Sequence, residues 1–331
     1  IYKLVFTLLM MTGTMITISS YNWMTMWIGL EINLLSIIPL LTNVNNKMES
    51  EAAMKYFIVQ TMASSFLIMG IITMLSNSNL QTLSLSTTII TMAILTKMGS
   101  APFHFWFPEV MEGLTWMNSI IMLTWQKIGP MVMLTYTNKP AFLMITAIIS
   151  SMMISGLMGI NQTSIRKIMV YSSINHIGWM IGAMITNQVT WMIYFLIYSL
   201  MTINIVLMFK LMNISYMAQL ISSMNNNKTM KILFSLNFLS MGGIPPFIGF
   251  YPKWITINSM IQKEMFLMTT IMIVMTLATL IFYMRMTFSS SIILTTEMTT
   301  SKKENQPQFL MLSNFVTMSL LSACSLMISF I

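Results

Sequence analysis

The sequence predicts an all-α polytopic membrane protein of about eleven transmembrane helices, organised as two inverted-topology five-helix repeats with two broken helices plus one extra C-terminal helix. Three observations carry that expectation. The 331 residues are 56% hydrophobic and only 7% charged, against about a quarter charged in an ordinary soluble domain. Polar breaks cut the chain into apolar runs close to the roughly 20 residues a helix needs to cross a bilayer. Two of those runs are interrupted by Gly-Pro stretches that match each other at a constant offset of 144 residues.

Taken in order, the first run, 3–20, opens on Lys3, and the second, 23–42, opens on Trp23 and holds a single acid, Glu31. The third, 52–75, begins beside Glu49, Glu51 and Lys55. The fourth, 82–107, carries Lys97 and breaks at "MGSAPFHFWFP", 98–108; the fifth, 114–136, carries Lys127. Runs at 140–160, 168–186 and 189–212 follow, with "YSSINHIGW" placing His176 in the second of these. The ninth, 231–258, breaks at "MGGIPPFIGFYPKW", 241–254, and carries Lys253, and the tenth covers 265–287. The longest polar stretch, Ser289 to Gln308, separates it from the last run, 308–330. The division expected is one repeat over 1–137, a second over 138–288, a polar linker over 289–307 and a helix over 308–331.

Loop parity places Lys3, Lys47, Lys55, Arg166, Lys167, Lys210, Lys228, Lys231, Arg285, Lys302 and Lys303 on the side of the N terminus, and only Lys139 and Lys263 on the other. Lys and Arg accumulate on the cytoplasmic or matrix side, so the N terminus is expected there and the C terminus opposite. The net charge of +8 thereby sets topology and implies no nucleic-acid partner. Asn161, Asn213 and Asn227 open Asn-x-Ser/Thr sites on that same side, where glycosylation is not expected. Forty-three Met would follow from a genetic code that reads AUA as Met, which points to mitochondrial coding.

Composition also excludes chemistry. Asp is absent and eight Glu are the only side-chain acids, so an Asp metal cage, an Asp-rich diphosphate site and a Ser-His-Asp triad are ruled out. Cys324 is the single cysteine, which rules out an internal disulfide and a cysteine-ligated cluster. No glycine fingerprint for a nucleotide follows a strand. His104 and His176 each have a simpler reading than haem ligation, so no metal and no cofactor is expected in this chain.

Three cations fall outside the loop count. Lys97, Lys127 and Lys253 lie well inside their runs, as does Glu31. A charge at the bilayer centre costs about 2.5–3.5 kcal/mol on insertion scales, so such residues face protein or water and mark ion paths. Snorkelling to the interface remains an alternative for Lys253; a dozen or more apolar residues on the N-terminal side of Lys97 and Lys127 argue against it there. A lysine suits proton transfer because desolvation weakens its hold on a proton and a nearby carboxylate restores it. A Na⁺ site would want several oxygen ligands, and the buried carboxylates are too few. Lys55 reads either as an interfacial salt bridge with Glu49 and Glu51 or as a partner that tunes Glu31. Glu109 and Glu112 read as solvated loop acids.

The two breaks align Pro102, Phe103 and Pro108 with Pro246, Phe247 and Pro252, and Phe107 with Tyr251. A proline removes an amide and frees the carbonyl four residues back, which predicts unpaired carbonyls at Met98 and Gly242. Freed backbone at membrane depth is tolerated only against protein or a water-filled cavity, so water is expected beside Lys97 and Lys253. The second break comes five runs after the first, an odd number, which inverts its orientation; this is the repeat architecture of many ion transporters. His176 and His104 each read as a relay group near neutral pH or as a packing histidine.

"WIGLEINLLSIIPLL", "EAAMKYF", "KMGSAPFHFWFPEV", "LTWQKIGP", "GINQTSIRKIMVYSSINHIGWM" and "SMGGIPPFIGFYPKW" together resemble the antiporter-like membrane-arm family of NADH:ubiquinone oxidoreductase, respiratory complex I, in its animal mitochondrial subunit 2 form. The resemblance covers most of the chain; 265–331 matches mainly in hydropathy. It implies a proton relay on Glu31, Lys97, Lys127 and Lys253, with Lys55, His176 and His104 as tuning or relay groups. It implies the inner mitochondrial membrane, with the N terminus on the matrix side and the C terminus on the intermembrane-space side. Bacterial relatives have fourteen helices, and eleven corresponds to a form lacking the first three. The implied partners are neighbouring antiporter-like subunits, other membrane-arm subunits, accessory subunits and lipids. NADH, FMN, iron-sulfur clusters and ubiquinone are expected in other subunits of the complex. The expected function is proton translocation driven by NADH oxidation and ubiquinone reduction elsewhere, with Lys97 as the switch and Lys127 passing the proton to Lys253. The rivals are a stand-alone cation/proton antiporter, which would work when purified alone, and a non-pumping structural subunit, which could dispense with four intramembrane charges.

Overall fold

The computed structural model describes residues 2–43, 46–76, 80–137, 140–224, 228–245 and 247–292. The expected helix over 308–331, Cys324, Lys139, Asn227, Pro246 and the expected linker beyond residue 292 lie outside them. Among the described residues the chain is helical between its turns, with a single isolated β-bridge joining Ser164 and Tyr216. It divides into two compact units, Ile1–Ser151 and Met152–Ile331.

In the first unit, α1 (Tyr2–Ser19) and α2 (Trp23–Leu41) pack through glycines. A Cβ on Gly13 would stand 2.9 Å from the backbone nitrogen of Asn33, and one on Gly29 would stand 2.8 Å from the carbonyl of Gly13. Small residues let two backbones approach in a bilayer, where no hydrophobic force drives helices together. The long α3 (Lys47–Ser76) packs on α4 (Leu80–Met98) at Gly70, opposite Ile90, and on the short α5 (Trp106–Gly113) at Gly113, opposite Met48. The expected fourth span is thus two helices, and Glu109 and Glu112 lie on α5 rather than in a loop. The expected fifth span is also divided, into α6 (Trp116–Leu123) and α7 (Trp125–Tyr136). The dividing residue is Thr124, whose hydroxyl donates to the carbonyl of Ile120 at 2.7 Å, a back-bond that bends helices. α8 (Ala141–Ile160) follows, its first half in this unit and its second half in the next.

In the second unit, α9 (Ile165–Thr186) is buried along almost its whole length. It packs against α10 (Gln188–Met212), whose first turn is capped by the side chain of Asn187 and which ends on the left-handed Asn213. A short helix, α11 (Met217–Met224), falls where a polar loop was expected. α12 (Lys228–Gly242) and α13 (Phe250–Gln262) divide the expected ninth span, and α14 (Phe266–Ile292) runs beyond the expected tenth. Arg285 fastens α14 to the end of α8 by donating to the carbonyls of Ile160 and Gln162, at 2.6 and 2.8 Å. Seven described helices are long and apolar enough to cross a membrane: α1, α2, α3, α8, α9, α10 and the 266–288 part of α14. The remaining apolar segments are the broken ones.

Candidate functional site

Both breaks are made by glycine. α4 stops where Gly99 takes a left-handed φ of 70°, with its amide on the carbonyl of Thr96 and that of Ser100 on Leu95, both at 3.1 Å. α12 stops the same way: Gly243 has φ of 79°, with its amide on Ser240 at 3.0 Å and that of Ile244 on Leu239 at 3.4 Å. These are paired 5→2 and 6→1 closures of one kind, and only glycine adopts their central conformation without strain. Pro102 therefore follows a helix that has already ended, which corrects the expectation that proline makes the break.

The first stop places Lys97 in the last turn of α4, where the carbonyl end of a helix favours a cation. Its ammonium lies 3.9 Å from Glu31 Oε1 on α2, with 3% of the lysine side chain and 22% of the glutamate side chain exposed. That separation exceeds hydrogen-bond reach, so the attraction is Coulombic. Two unit charges about 4 Å apart attract by roughly 4 kcal/mol at an effective dielectric near 20, similar to the cost of inserting one of them.

A small cavity of about 10 Å³ adjoins this pair, lined by Lys97 with Asn33, Tyr56, Gln60 and Gln126 and closed by Leu30, Leu34 and Pro130. A space of that size with several polar partners suits one water molecule. Asn33 and Gln126 bind each other reciprocally, Asn33 Nδ2 to Gln126 Oε1 at 3.0 Å and Gln126 Nε2 to Asn33 Oδ1 at 3.1 Å. Tyr56 donates to the same Gln126 oxygen at 3.4 Å, and Gln60 to the carbonyl of Lys97 at 3.5 Å. None of these four side chains stood out in the sequence. The available signal was their position: Asn33 is two residues past Glu31, and Gln126 adjoins Lys127.

Lys127 is buried on α7, with its ammonium 5.8 Å from the ring centroid of Phe107. His104 is buried in the first break, with Nδ1 3.3 Å from the carbonyl of Pro102 and its ring against Phe105. Lys55 is not brought to Glu31. It pairs with Glu51 at 3.0 Å and Glu109 at 3.1 Å, with all three side chains substantially exposed. Such a surface cluster is worth little energetically.

In the second unit, Lys253 on α13 donates to the carbonyl of Gly242 at 2.7 Å, so the carbonyl expected to be unpaired has a partner. His176 on α9 is buried with Nδ1 2.8 Å from the hydroxyl of Tyr194, and Tyr198 packs beside it. Asn175 donates to Thr279 at 3.3 Å. Among the described residues no three His, Cys, Asp or Glu side chains converge on one point. What the arrangement offers is a set of buried titratable side chains: Lys97 beside Glu31, Lys127 and His104 in the first unit, Lys253 and His176 in the second.

A family profile described as NADH:quinone oxidoreductase/Mrp antiporter, TM, matches residues 20–281. NADH-ubiquinone oxidoreductase chain 2 of Anopheles gambiae is 48% identical over 289 residues, covering 86% of this chain and 84% of the relative. The protein of that name from Oryctolagus cuniculus is 41% identical, covering 87% and 85%. A chain in the structure of respiratory complex I from Thermus thermophilus with bound aureothin superposes with a TM-score of 0.86 at 21% identity, covering 97% of this chain and 77% of that one. A chain of the Mrp complex from Dietzia sp. DQ12-45-1b superposes with a TM-score of 0.78 at 13% identity, covering 97% and 75%. With its broken helices and buried lysines, the chain belongs to the NADH:quinone oxidoreductase/Mrp antiporter family of membrane proteins, in the animal mitochondrial NADH-ubiquinone oxidoreductase chain 2 branch.

Proposed function

We propose that this chain is a core membrane-arm subunit of respiratory complex I that translocates protons from the matrix to the intermembrane space through a buried Glu/Lys relay. The drive is NADH oxidation and ubiquinone reduction in other subunits, which hold the NADH, FMN, iron-sulfur and quinone sites. The observation that carries the reading is the ion pair of Lys97 with Glu31, 3.9 Å apart inside the first unit, beside a broken helix and a polar cavity. A carboxylate at that distance holds a proton on Lys97; withdrawing its influence loosens the proton. Lys97 is the switch, Lys127 its acceptor, and Lys253 the corresponding group of the second unit. His176 and His104 are relay groups of the second and first units, and Lys55 acts at the surface end of α3. The two repeats of the proposal run over 1–137 and 138–288, with 308–331 as an added helix. Because the groups are coupled, the protons belong to the chain of groups rather than to any one residue.

The test is proton pumping per NADH oxidised in reconstituted intact complex carrying Lys97→Met, with assembly checked on a native gel. Full assembly with pumping reduced at least tenfold, or with slowed oxidation, is expected. A normal proton ratio in a fully assembled enzyme would favour a structural role instead. A chain that catalyses cation/proton exchange when purified alone would identify a free antiporter.

A further inference from the structure

Lys253 and Lys97 are buried alike but balanced differently. In the second unit, the only carboxylate side chain among the described residues is Glu264, which is exposed just beyond α13. The buried titratable groups on the elements packed against α13 are Tyr171 and His176 from α9, Tyr194 and Tyr198 from α10 and Tyr283 from α14. Of their charged groups, Arg166 and Lys167 begin α9, Lys210 ends α10, and Arg285 is tied to the carbonyls of Ile160 and Gln162. The partner that Lys253 does have is the carbonyl of Gly242, the last residue of α12. The end of a helix carries about half a negative charge on its last carbonyls. The amides of Gly243 and Ile244 close on Ser240 and Leu239, which leaves the Gly242 oxygen to the ammonium.

Glycine makes the room. A Cβ on Gly243 would stand 2.9 Å from both Nζ and Cδ of Lys253 and 3.1 Å from Cε. One on Gly249 would overlap the carbonyl of Ser240, so the chain folds back tightly enough for α13 to begin beside the last turn of α12. The first break uses the same glycine for another purpose. The space over Gly99 is filled by the rings of Trp106 and Phe107, and the residue at the register of Lys253 is Glu109, which turns to Lys55.

We propose that the carbonyl end of α12 is the counter-charge of Lys253, standing where Glu31 stands for Lys97, and that Gly243 is a positioning residue for the relay because only a side chain without Cβ leaves space for the ammonium. The functional consequence rests on the relay reading; the geometry does not.

The experiment compares intact complex of wild type and Gly243→Asn by electron cryomicroscopy and by the pH profile of proton pumping. Asn tolerates the left-handed backbone but restores the Cβ. The wild type is expected to show the Lys253 ammonium about 3 Å from the Gly242 oxygen, and the variant to show it displaced. The variant's profile is expected to shift by about one pH unit, the scale set by losing one hydrogen bond to a charged group. In a Lys253→Met background, adding Gly243→Asn should bring no further change in pumping, because the group it displaces is already gone. A wild-type ammonium turned away from Gly242 overturns the proposal, as does a variant with Lys253 in place and an unchanged profile. Should the variant not assemble, the wild-type density decides. A relay that fails at Lys97 leaves that distance measurement standing, so the two readings fail separately.

Discussion

Asn33 and Gln126 do not titrate, yet they border the same cavity as Lys97 and tie α2 to α7 by two hydrogen bonds. Their role is to hold spacing. Gln126→Leu leaves a buried amide on Asn33 without its partner, which costs about 1–3 kcal/mol. Replacing both by leucine removes the orphan, so the double variant should recover part of the loss, a coupling readable as complex abundance on a native gel. Losses that simply add would show the pair to be independent. Glu31 and Lys97 were legible in the sequence because a full charge in an apolar run is expensive enough to demand a reason. Asn33 and Gln126 were not, because a neutral amide costs far less and Asn recurs along the chain in unremarkable places. Lys55 was legible only as a choice between two partners; the sequence could not show that Glu109, 54 positions on, would reach it.

At the scale of elements, α2 owes its position to α1. A valine at Gly29 would drive its Cβ to 2.6 Å from Thr17 Cγ2 and 2.8 Å from the Gly13 carbonyl, and overpacking of that kind costs roughly 1–3 kcal/mol or more. Because α2 carries Glu31, Gly29→Val should lower both assembly and pumping, whereas Lys97→Met should lower pumping alone. The Lys55 cluster joins α3 to α5 at the surface. Lys55→Met is expected to keep pumping within about twofold of wild type, as exposed ion pairs contribute roughly 0–1 kcal/mol. A larger loss in assembled complex would give Lys55 a part in the relay. Ten of the eleven expected spans fall on described helices because apolar length is a strong signal. The division at Thr124 leaves no mark in the sequence because hydropathy continues across it. In the sequence the glycine stops look like proline breaks because glycine and proline adjoin in both stretches, and only backbone angles tell which one ends the helix.

For the whole molecule, the excess of Lys and Arg on one side predicts a measurable orientation. In mitoplasts with Cys324 replaced by serine, an impermeant thiol reagent should label Gln188→Cys, at the start of α10, and spare Asn161→Cys, between α8 and α9. The opposite pattern would reverse the proposed topology. The shared register of the two glycine stops was visible in the sequence as the offset of 144 residues, because turn chemistry repeats more faithfully than the apolar residues around it. The burial of α9 bears on how the chain is made. This helix carries Arg166 and Lys167 in its first turn and Ser172, Ser173, Asn175 and His176 among its buried residues, polar groups that are covered by neighbouring helices rather than by lipid. The helices that enclose it in the second unit, α10, α13 and α14, are all synthesised later. During translation, α9 is therefore expected to stay close to the insertion machinery until α14 has emerged, and a ribosome stalled before α14 is expected to leave a nascent chain open to membrane quality control.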